Sequence, residues 1–501
     1  MKNTRLIVVF AVISAIGGTV VYEITLGIVG VALPHMQGTF SATPDQIAWV
    51  LTSFTVGTTV MIGCAGWFSS RFGRKRFFLF SIAGFVISTI MCGSVDTLTA
   101  EVFWRLMQGL LGAPLMPLGQ AITVDAFPED KKDLASSVWA MGAVGGVVSA
   151  PVLGGYLVEF YEWRLVFLIT VPLGVAAFFG TWAFVEETER DTERKLDWLG
   201  FTALVIAVFA IQMGLSRGQR LDWWDSIEIV IEFSVGTLAL FYFVVRCYTT
   251  RNPFVPRELL TDRNFLIGAA LFLLFGAVLV LPLVMLPLLL QQLGGYPVVT
   301  AGALLFPRGV GTICALLVTG TIAAKTDPRV PLVFGLLLIA FSNWNMSTWT
   351  ADVSAWEISW SNAIQGFGSG VTFVPNIAIA FWTISVRNRT EGLSFLYLLF
   401  YFGSAIGVAC IFAFQSKLGQ IHRAQLAENV THHNELFQQA AVSSLFDPTT
   451  QTGLAALSQE IDRQAQMIAY SNSFLVIALA ALIMAPLPLF VTKRRVLKGG
   501  C

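Results

Sequence analysis

Apolar windows of roughly 20 residues, the length a helix needs to cross a bilayer core about 30 Å thick, recur from one end of the chain to the other. They begin near Leu6, Gln46, Arg76, Leu98, Leu134, Arg164, Asp197, Ser226, Phe265, Val299, Arg329, Ala355, Gly392 and Tyr470. The pattern predicts an all-α polytopic membrane protein of about fourteen transmembrane helices, since lipid offers no partner to an open strand edge. The expected layout is an N-terminal six-helix bundle over 1–188, two extra linking helices over 189–250, and a C-terminal six-helix bundle over 251–501. Met1 to Gly18 looks like a secretory signal, with Lys2 and Arg5 ahead of an apolar run. Because that run continues to Leu33 and further spans follow, the reading is an uncleaved first helix.

Polar positions between the spans set the orientation. Alternate loops hold Lys2 and Arg5, Arg71 to Arg76, Lys131 and Lys132, Arg190 to Lys195, Arg246 to Arg263, Lys325 and Arg329, Arg387 and Arg389, and Lys493 to Lys498. Together they carry about 23 of the 31 Lys and Arg, so the positive-inside bias makes this side, with both termini, cytoplasmic. Loops on the other side are short, such as Gln219 to Asp225 and Gly294 to Pro297, except for the polar periplasmic loop 416–469. Within it Leu454, Leu457, Ile461, Ala465 and Ile468 recur at helical spacing, which predicts an amphipathic helix running into the last span. The loop is either a surface hairpin packed on itself or a docking site for a partner. His422, His432 and His433 also lie here, with no ligand spacing to suggest a metal.

Composition agrees with the span pattern. The chain has 501 residues, 55% hydrophobic and 12% charged, with a mean hydropathy of +0.71, whereas a soluble domain carries roughly 25% charged residues. The formal net charge of zero gives no case for nucleic acid. Six scattered cysteines imply neither a disulfide framework nor a metal pair. No G-x-x-x-x-G-K-[ST] run binds nucleotide, and no His-Glu or Ser-His pattern inside the spans supports an intramembrane enzyme.

Four stretches carry candidate chemistry. Gly66-Trp-Phe-Ser-Ser-Arg-Phe-Gly-Arg-Lys-Arg76 joins two spans through a tight glycine turn and forms a dense cationic patch, with Gly66, Ser70, Arg71, Gly73 and Arg74 as its working positions. In the fourth span, Arg105 lies about two turns in from the outer end, followed by Gln108 and Gly109. An intramembrane Arg costs roughly 2.5 to 3.5 kcal/mol on insertion scales and faces a polar interior, though it could simply tie helices together. Gly142 to Gly155 crowds Gly146, Pro151, Gly154 and Gly155 into one run, suited to close helix contact and a bend. In the first span, Glu23 precedes Thr25 within apolar surroundings. Thr25, Phe54, Trp139, Phe373, Tyr397 and the buried cation Arg308 are candidate walls of a cavity for lipophilic compounds, although most aromatics are expected to face lipid or neighbouring helices. Glu228 and Glu232 are candidate partners for Arg308, or interfacial.

These motifs resemble those of the major facilitator superfamily. The first is similar to its cytoplasmic loop motif G-x-x-x-D-R-x-G-R-R/K-R/K, whose Asp is thought to hold the outward-facing state and which is Ser70 here. A neutral hydroxyl must then serve, or another acid must substitute. R-x-x-Q-G from Arg105 matches the fourth-helix motif whose Arg is implicated in proton transfer. The glycine run looks like the antiporter motif G-x-x-x-G-P-x-x-G-G, with Ala150 in place of one Gly. With LLQQLGGYPVVTAGALLFPRG over Leu289 to Gly309, VALPHM and PLMPLGQAITVDAFP, nearly the whole chain resembles the fourteen-span, EmrB-like drug:proton antiporters of multidrug efflux. The branch's L-D-x-T-I-x-N-V-A-L-P is altered here, with Thr25, Gly27 and Gly30 at its polar positions, while Glu23 supplies an acid two residues earlier.

The resemblance implies proton-coupled efflux of lipophilic drugs or toxic compounds across the bacterial inner membrane by alternating access, with the proton gradient in place of any cofactor. It further implies a periplasmic membrane-fusion adaptor and an outer-membrane channel as partners in a tripartite pump. Counting about 1.5 Å per residue places Glu23 and Arg105 both in the outer half. Glu23 is then expected to carry the proton, with Arg105 within about 6 Å as its modulator; a fixed ion pair is the alternative. Two rival readings are a dedicated exporter or importer of one metabolite and a transport-inactive membrane receptor or scaffold, to which Ser70 and the altered first-helix motif lend weight.

Overall fold

A computed structural model describes residues 2–128, 131–188, 190, 197–250, 253–322, 326–385, 388–428, 430, 446 and 450–492. Lys195, Lys325, Arg387, His432, His433 and the tail from Lys493 to Lys498 lie outside the described residues. The described chain is helical throughout, without a strand. The N-terminal helices are α1 (Lys2–Thr39), α2 (Pro44–Phe72), α3 (Arg74–Cys92), α4 (Leu98–Gly112), α5 (Leu115–Asp125), α6 (Lys132–Phe160), α7 (Leu165–Leu168) and α8 (Val171–Phe184). Next come α9 (Trp198–Arg217), α10 (Ile227–Thr249) and the short α11 (Arg257–Thr261). The remainder are α12 (Arg263–Gln292), α13 (Val298–Ile322), α14 (Arg329–Ser347), α15 (Ala355–Ala380), α16 (Arg389–Glu428) and α17 (Gln451–Met484).

Among the described residues, 13 helices are long and apolar enough to cross a membrane. The fourteenth expected span, from Leu98, is divided into α4 and α5 by a turn at Ala113 and Pro114. Pro114 and Pro117 have no N–H to give to the preceding turn, so the helical ladder is interrupted twice within one turn. The polypeptide still crosses once over 98–125, and the protein is a multi-pass membrane protein.

Close packing follows the small residues. α1 lies against α6, α8 and α5, α2 against α4, and α13 against α15. On α6 the positions Gly142, Gly146, Ala150 and Gly154 fall four apart, on one helical face. A Cβ on Gly142 would come 2.3 Å from Ile16, one on Gly146 2.9 Å from Glu23 Cβ, and one on Gly154 2.8 Å from Ile28. Larger residues would force α6 off α1, so the glycine run builds this helix pair. The halves meet where α13 packs on α6 and α16 packs on α2 and α5.

α10 packs chiefly on α9, while α9 also reaches α2 and α16. Both ends of the α9/α10 pair are tied. Asp197 takes Arg246 at 2.6 Å at the end bearing the basic loops. Arg217 pairs with Glu228 and, at 2.9 Å, with Glu232 at the other. This corrects the suggestion that Glu228 and Glu232 serve Arg308, because a cation on the adjacent helix already holds both.

The stretch expected as a loop over 416–469 is largely the continuation of two spans. α16 has 40 residues, about 60 Å of helix, twice a bilayer core of about 30 Å. Beyond the apolar zone it lies beside α17, where Arg423 pairs with Asp462 at 2.7 Å and His422 lies 3.1 Å from Asn472. The amphipathic segment does run unbroken into the last span within α17. Ala465 is buried on it and Leu454 and Ile468 are exposed, so its apolar stripe is only partly covered.

Candidate functional site

Two polar centres sit inside the N-terminal half, at different depths. The first is built on α4, whose buried positions are Glu101, Arg105, Gln108, Gly109 and Gly112, one stripe at helical spacing. Phe103, on the other side, is 51% exposed, so α4 turns its polar face inward and its apolar face to lipid. Fully buried, Arg105 donates from Nε to the Val50 carbonyl at 3.1 Å and from Nη1 to Gln108 Oε1 at 2.5 Å. Gln108 Nε2 in turn donates to Thr89 Oγ1 at 2.7 Å. The guanidinium also lies over the Phe54 ring, 4.2 Å from its centroid. Gly109 makes this possible, since a Cβ there would fall 2.2 Å from the Phe54 carbonyl oxygen.

The second centre surrounds Glu23 on α1. A Cβ on Gly112 would come 2.5 Å from the Phe85 ring and 2.9 Å from that of Tyr22. Tyr22 and Glu23 are therefore level with Gly112, seven residues or about 10 Å along the helix from Arg105. Glu23 thus lies near mid-bundle and not in the outer half, and no ion pair joins it to Arg105 among the described residues. The reason is length: α1 has 38 residues, and its first turns overhang the basic face, so counting from Leu6 misjudges the depth.

Glu23 is 4% exposed and takes no hydrogen bond from any described residue. It is close enough to act electrostatically on the hydroxyls of Tyr22, Tyr397 and Tyr401. These tyrosines link the halves: Tyr22 Oη donates to Tyr401 Oη at 3.4 Å, and Tyr397 Oη donates to Gln120 Oε1 at 2.7 Å. Trp139 closes the same seam. Its ring stacks 6.4 Å from Phe373 and meets Tyr397 edge-on at 6.2 Å, while its Nε1 donates to Thr19 at 3.0 Å.

Of the proposed cavity residues, Trp139, Phe373 and Tyr397 are therefore brought together beside Glu23. Phe54 bridges the two centres, lying under the Arg105 guanidinium and stacking 5.8 Å from the Tyr22 ring. Thr25 spends its hydroxyl on the Val21 carbonyl of its own helix at 2.8 Å. Arg308, in the other half, donates to the Leu279 carbonyl at 2.6 Å and keeps Nη1 without a partner. Pro151 and Gly155 lie on the part of α6 away from α1, where a Cβ on Gly155 would meet nothing within 4 Å.

The loop motif closes the basic face. Gly73, at φ +94°, ends α2 and starts α3, a left-handed conformation that favours glycine. Glu187 caps α3 by accepting from the backbone N–H groups of Lys75 at 3.1 Å and Arg76 at 3.3 Å. Arg74 pairs with Asp125 at the end of α5 and donates to Thr390 of the other half at 3.1 Å. Ser70 gives its hydroxyl to the Gly66 carbonyl at 3.0 Å, within its own helix. Arg71 is half-buried beside it. An acid does stand at this junction, on the facing helix: a Cβ on Gly66 would come 2.7 Å from Glu391 Cα. Sequence reasoning missed Glu391, because nothing in the chain links it to Gly66. It also missed Glu101, whose four-residue spacing from Arg105 was the available signal.

Among the described residues no cluster of His, Cys, Asp or Glu could hold a metal.

The family model of the Major Facilitator Superfamily matches residues 15–408. The chain is 31% identical over 456 residues to the multidrug export protein EmrB of Escherichia coli, covering 89% of this chain and 88% of that protein. It is 29% identical to the fatty acid resistance protein FarB of Neisseria gonorrhoeae, covering 92% and 91%. Multidrug resistance protein 3 of Bacillus subtilis is 27% identical, covering 94% and 95%. A bundle of membrane-crossing helices sealed at one face by the Gly66–Arg76 loop, with buried charge at its centre, matches across almost its full length. The chain is a transporter, not an enzyme, and belongs to the major facilitator superfamily.

Proposed function

We propose that this transporter exports lipophilic compounds in exchange for protons, with Glu23 as the proton-carrying acid. The observation that supports it most is the placement of Glu23: buried, without an ionic partner, packed on Gly146 and beside the tyrosines that join the halves. A carboxylate unpaired in such surroundings is costly, so a change in its access to water changes its charge. Separation of the halves at Tyr22 and Tyr401 would bring water to it. The aromatic seam of Trp139, Phe373 and Tyr397 lies at the same place, so proton and substrate compete for one region of the interface.

The seam offers apolar rings and few fixed charges, which suits drug-like and fatty compounds of the kind named for the relatives EmrB and FarB. The basic loops argue for a cytoplasmic location of that face and of both termini, in a bacterial inner membrane. The conformation then has its cytoplasmic side closed through Arg74, Asp125 and Thr390. The α16/α17 hairpin would project on the far side, where it offers a surface for a periplasmic adaptor and, through it, an outer-membrane channel.

The test is transport in inside-out vesicles with an imposed pH gradient and tetraphenylphosphonium as substrate. Wild type should take up the cation only with the gradient, and Glu23→Gln should bind it without gradient-driven uptake. Undiminished gradient-driven uptake by Glu23→Gln would overturn the assignment.

A further inference from the structure

Glu101 is the buried acid that the exchange reading leaves without a task. It is 0% exposed, lies one turn from Arg105 on the inward stripe of α4, and neither carboxyl oxygen receives a hydrogen bond. Arg105 likewise keeps Nη2 without a partner. Residues four apart on a helix are near enough to pair. An Arg and a Glu at that spacing, each with unmet hydrogen-bonding capacity, are nevertheless apart. What holds them apart is visible: Gln108, one turn on the other side of Arg105, and the Val50 carbonyl take the guanidinium at 2.5 Å and 3.1 Å.

The other groups facing Glu101 do not replace Arg105. Cys92 at the end of α3 faces the carboxyl with only a thiol, a weak donor, and Arg164, before α7, acts on it from a distance because it is engaged with Asp96 at 2.7 Å and lies over the Trp163 ring. An ionised carboxylate at such a position carries a desolvation cost of several kcal/mol, and the charges of Arg105 and Arg164, each held by other partners, offset only part of it. The acid therefore rests neutral in this conformation.

We propose that Glu101 is a second proton-carrying acid of the exchange cycle, and that Gln108 controls it by holding the Arg105 guanidinium away. When α4 shifts against α2 and Gln108 releases the guanidinium, Arg105 turns to Glu101. The carboxyl O–H then breaks, its proton passes to water at the end of α4 where Asp96 and Thr97 lie, and a guanidinium–carboxylate pair remains. Reversal takes a proton back. This rests on the exchange reading above for its place in the cycle, but the charge state of Glu101 stands on the geometry alone.

Two measurements separate these levels. Infrared spectra of the full-length protein in lipid nanodiscs at neutral pH report protonated carboxyl groups directly. In a Glu23→Gln background one such band should remain, and it should disappear on adding Glu101→Gln. It should also disappear in Glu23→Gln with Gln108→Ala, which leaves Glu101 in place and frees Arg105 to reach it. Identical spectra with and without Glu101→Gln, or a band that survives Gln108→Ala, would overturn the proposal. In vesicles, Glu101→Gln should lose pH-driven uptake of tetraphenylphosphonium, and uptake equal to wild type would remove the acid from the cycle. A wild type indifferent to the gradient would sink the exchange reading and leave the infrared result to stand.

Discussion

The hydroxyl of Tyr22 lies 3.4 Å from that of Tyr401, so two side chains 379 positions apart close the seam between the halves directly beside Glu23. A neutral hydrogen bond contributes about 1 kcal/mol, about a fivefold change in a two-state population. Tyr401→Phe should therefore shift the protein about fivefold away from the closed conformation, read as a longer distance between spin labels on α2 and α16. Tyr22→Phe removes the same bond, together with the one to Thr58 at 3.4 Å. The double variant should then shift the population by less than the sum of the singles. Full additivity would mean that the two hydroxyls act independently.

Gly66 predicts a different kind of failure. Its missing Cβ is what lets the backbone of Glu391 approach, since the added atom would come 2.7 Å from Glu391 Cα and 3.1 Å from its N. Gly66→Ala should produce normal amounts of folded protein that cannot close its basic face, with transport lost. Glu391→Ala should not restore it, because the clash is with main chain. A restored double variant would show that the Glu391 side chain, and not the backbone approach, sets the spacing.

Arg74 has two partners in different directions, Asp125 in its own half and Thr390 in the other. The guanidinium meets them with two separate nitrogens, Nη1 for Asp125 and Nη2 for Thr390, whereas the three donors of an ammonium radiate from one atom that must lie within reach of both. Arg74→Lys is expected to behave more like Arg74→Ala than like wild type in a closure assay, despite keeping its charge. Asp125→Asn should weaken closure in the same direction. Wild-type closure in Arg74→Lys would reduce the contact to simple charge attraction.

Much of this was legible in the sequence because bilayer physics is local. Spans, their order, and the small-residue face of α6 are all written at spacings of a few residues, and so was Glu23 as an acid in an apolar run. What escaped required depth or distance. The overhang of α1 moved Glu23 to mid-bundle and away from Arg105, which a count along one helix cannot reveal. Glu101 lies three residues inside its span and reads as an interfacial acid, until packing by α3 and the α7 segment buries it. Ser70 signalled a changed gate, but Glu391 comes to it from the other half of the chain. The fourth span reads as one apolar run from Leu98, and its interruption at Ala113 and Pro114 follows from the missing N–H groups of Pro114 and Pro117, which hydrophobicity does not register.

The α9/α10 pair offers a test of stability apart from transport. Asp197 has a side chain 1% exposed, accepts from Gly200 N at 3.1 Å as the cap of α9, and takes Arg246 at 2.6 Å. Arg246→Ala would leave a buried carboxylate with only backbone donors, a loss that reaches about 3 to 5 kcal/mol when both partners are fully buried. Arg246 is itself 24% exposed, so water can replace part of what it gives, and the expected loss falls well short of that of a fully buried pair. Asp197→Asn keeps an oxygen for the cap and leaves no bare anion, so it should cost less than Arg246→Ala. Thermal unfolding of the detergent-solubilised protein would rank the two. The opposite order would mean that the cap, and not the ion pair, fastens α10 to the bundle.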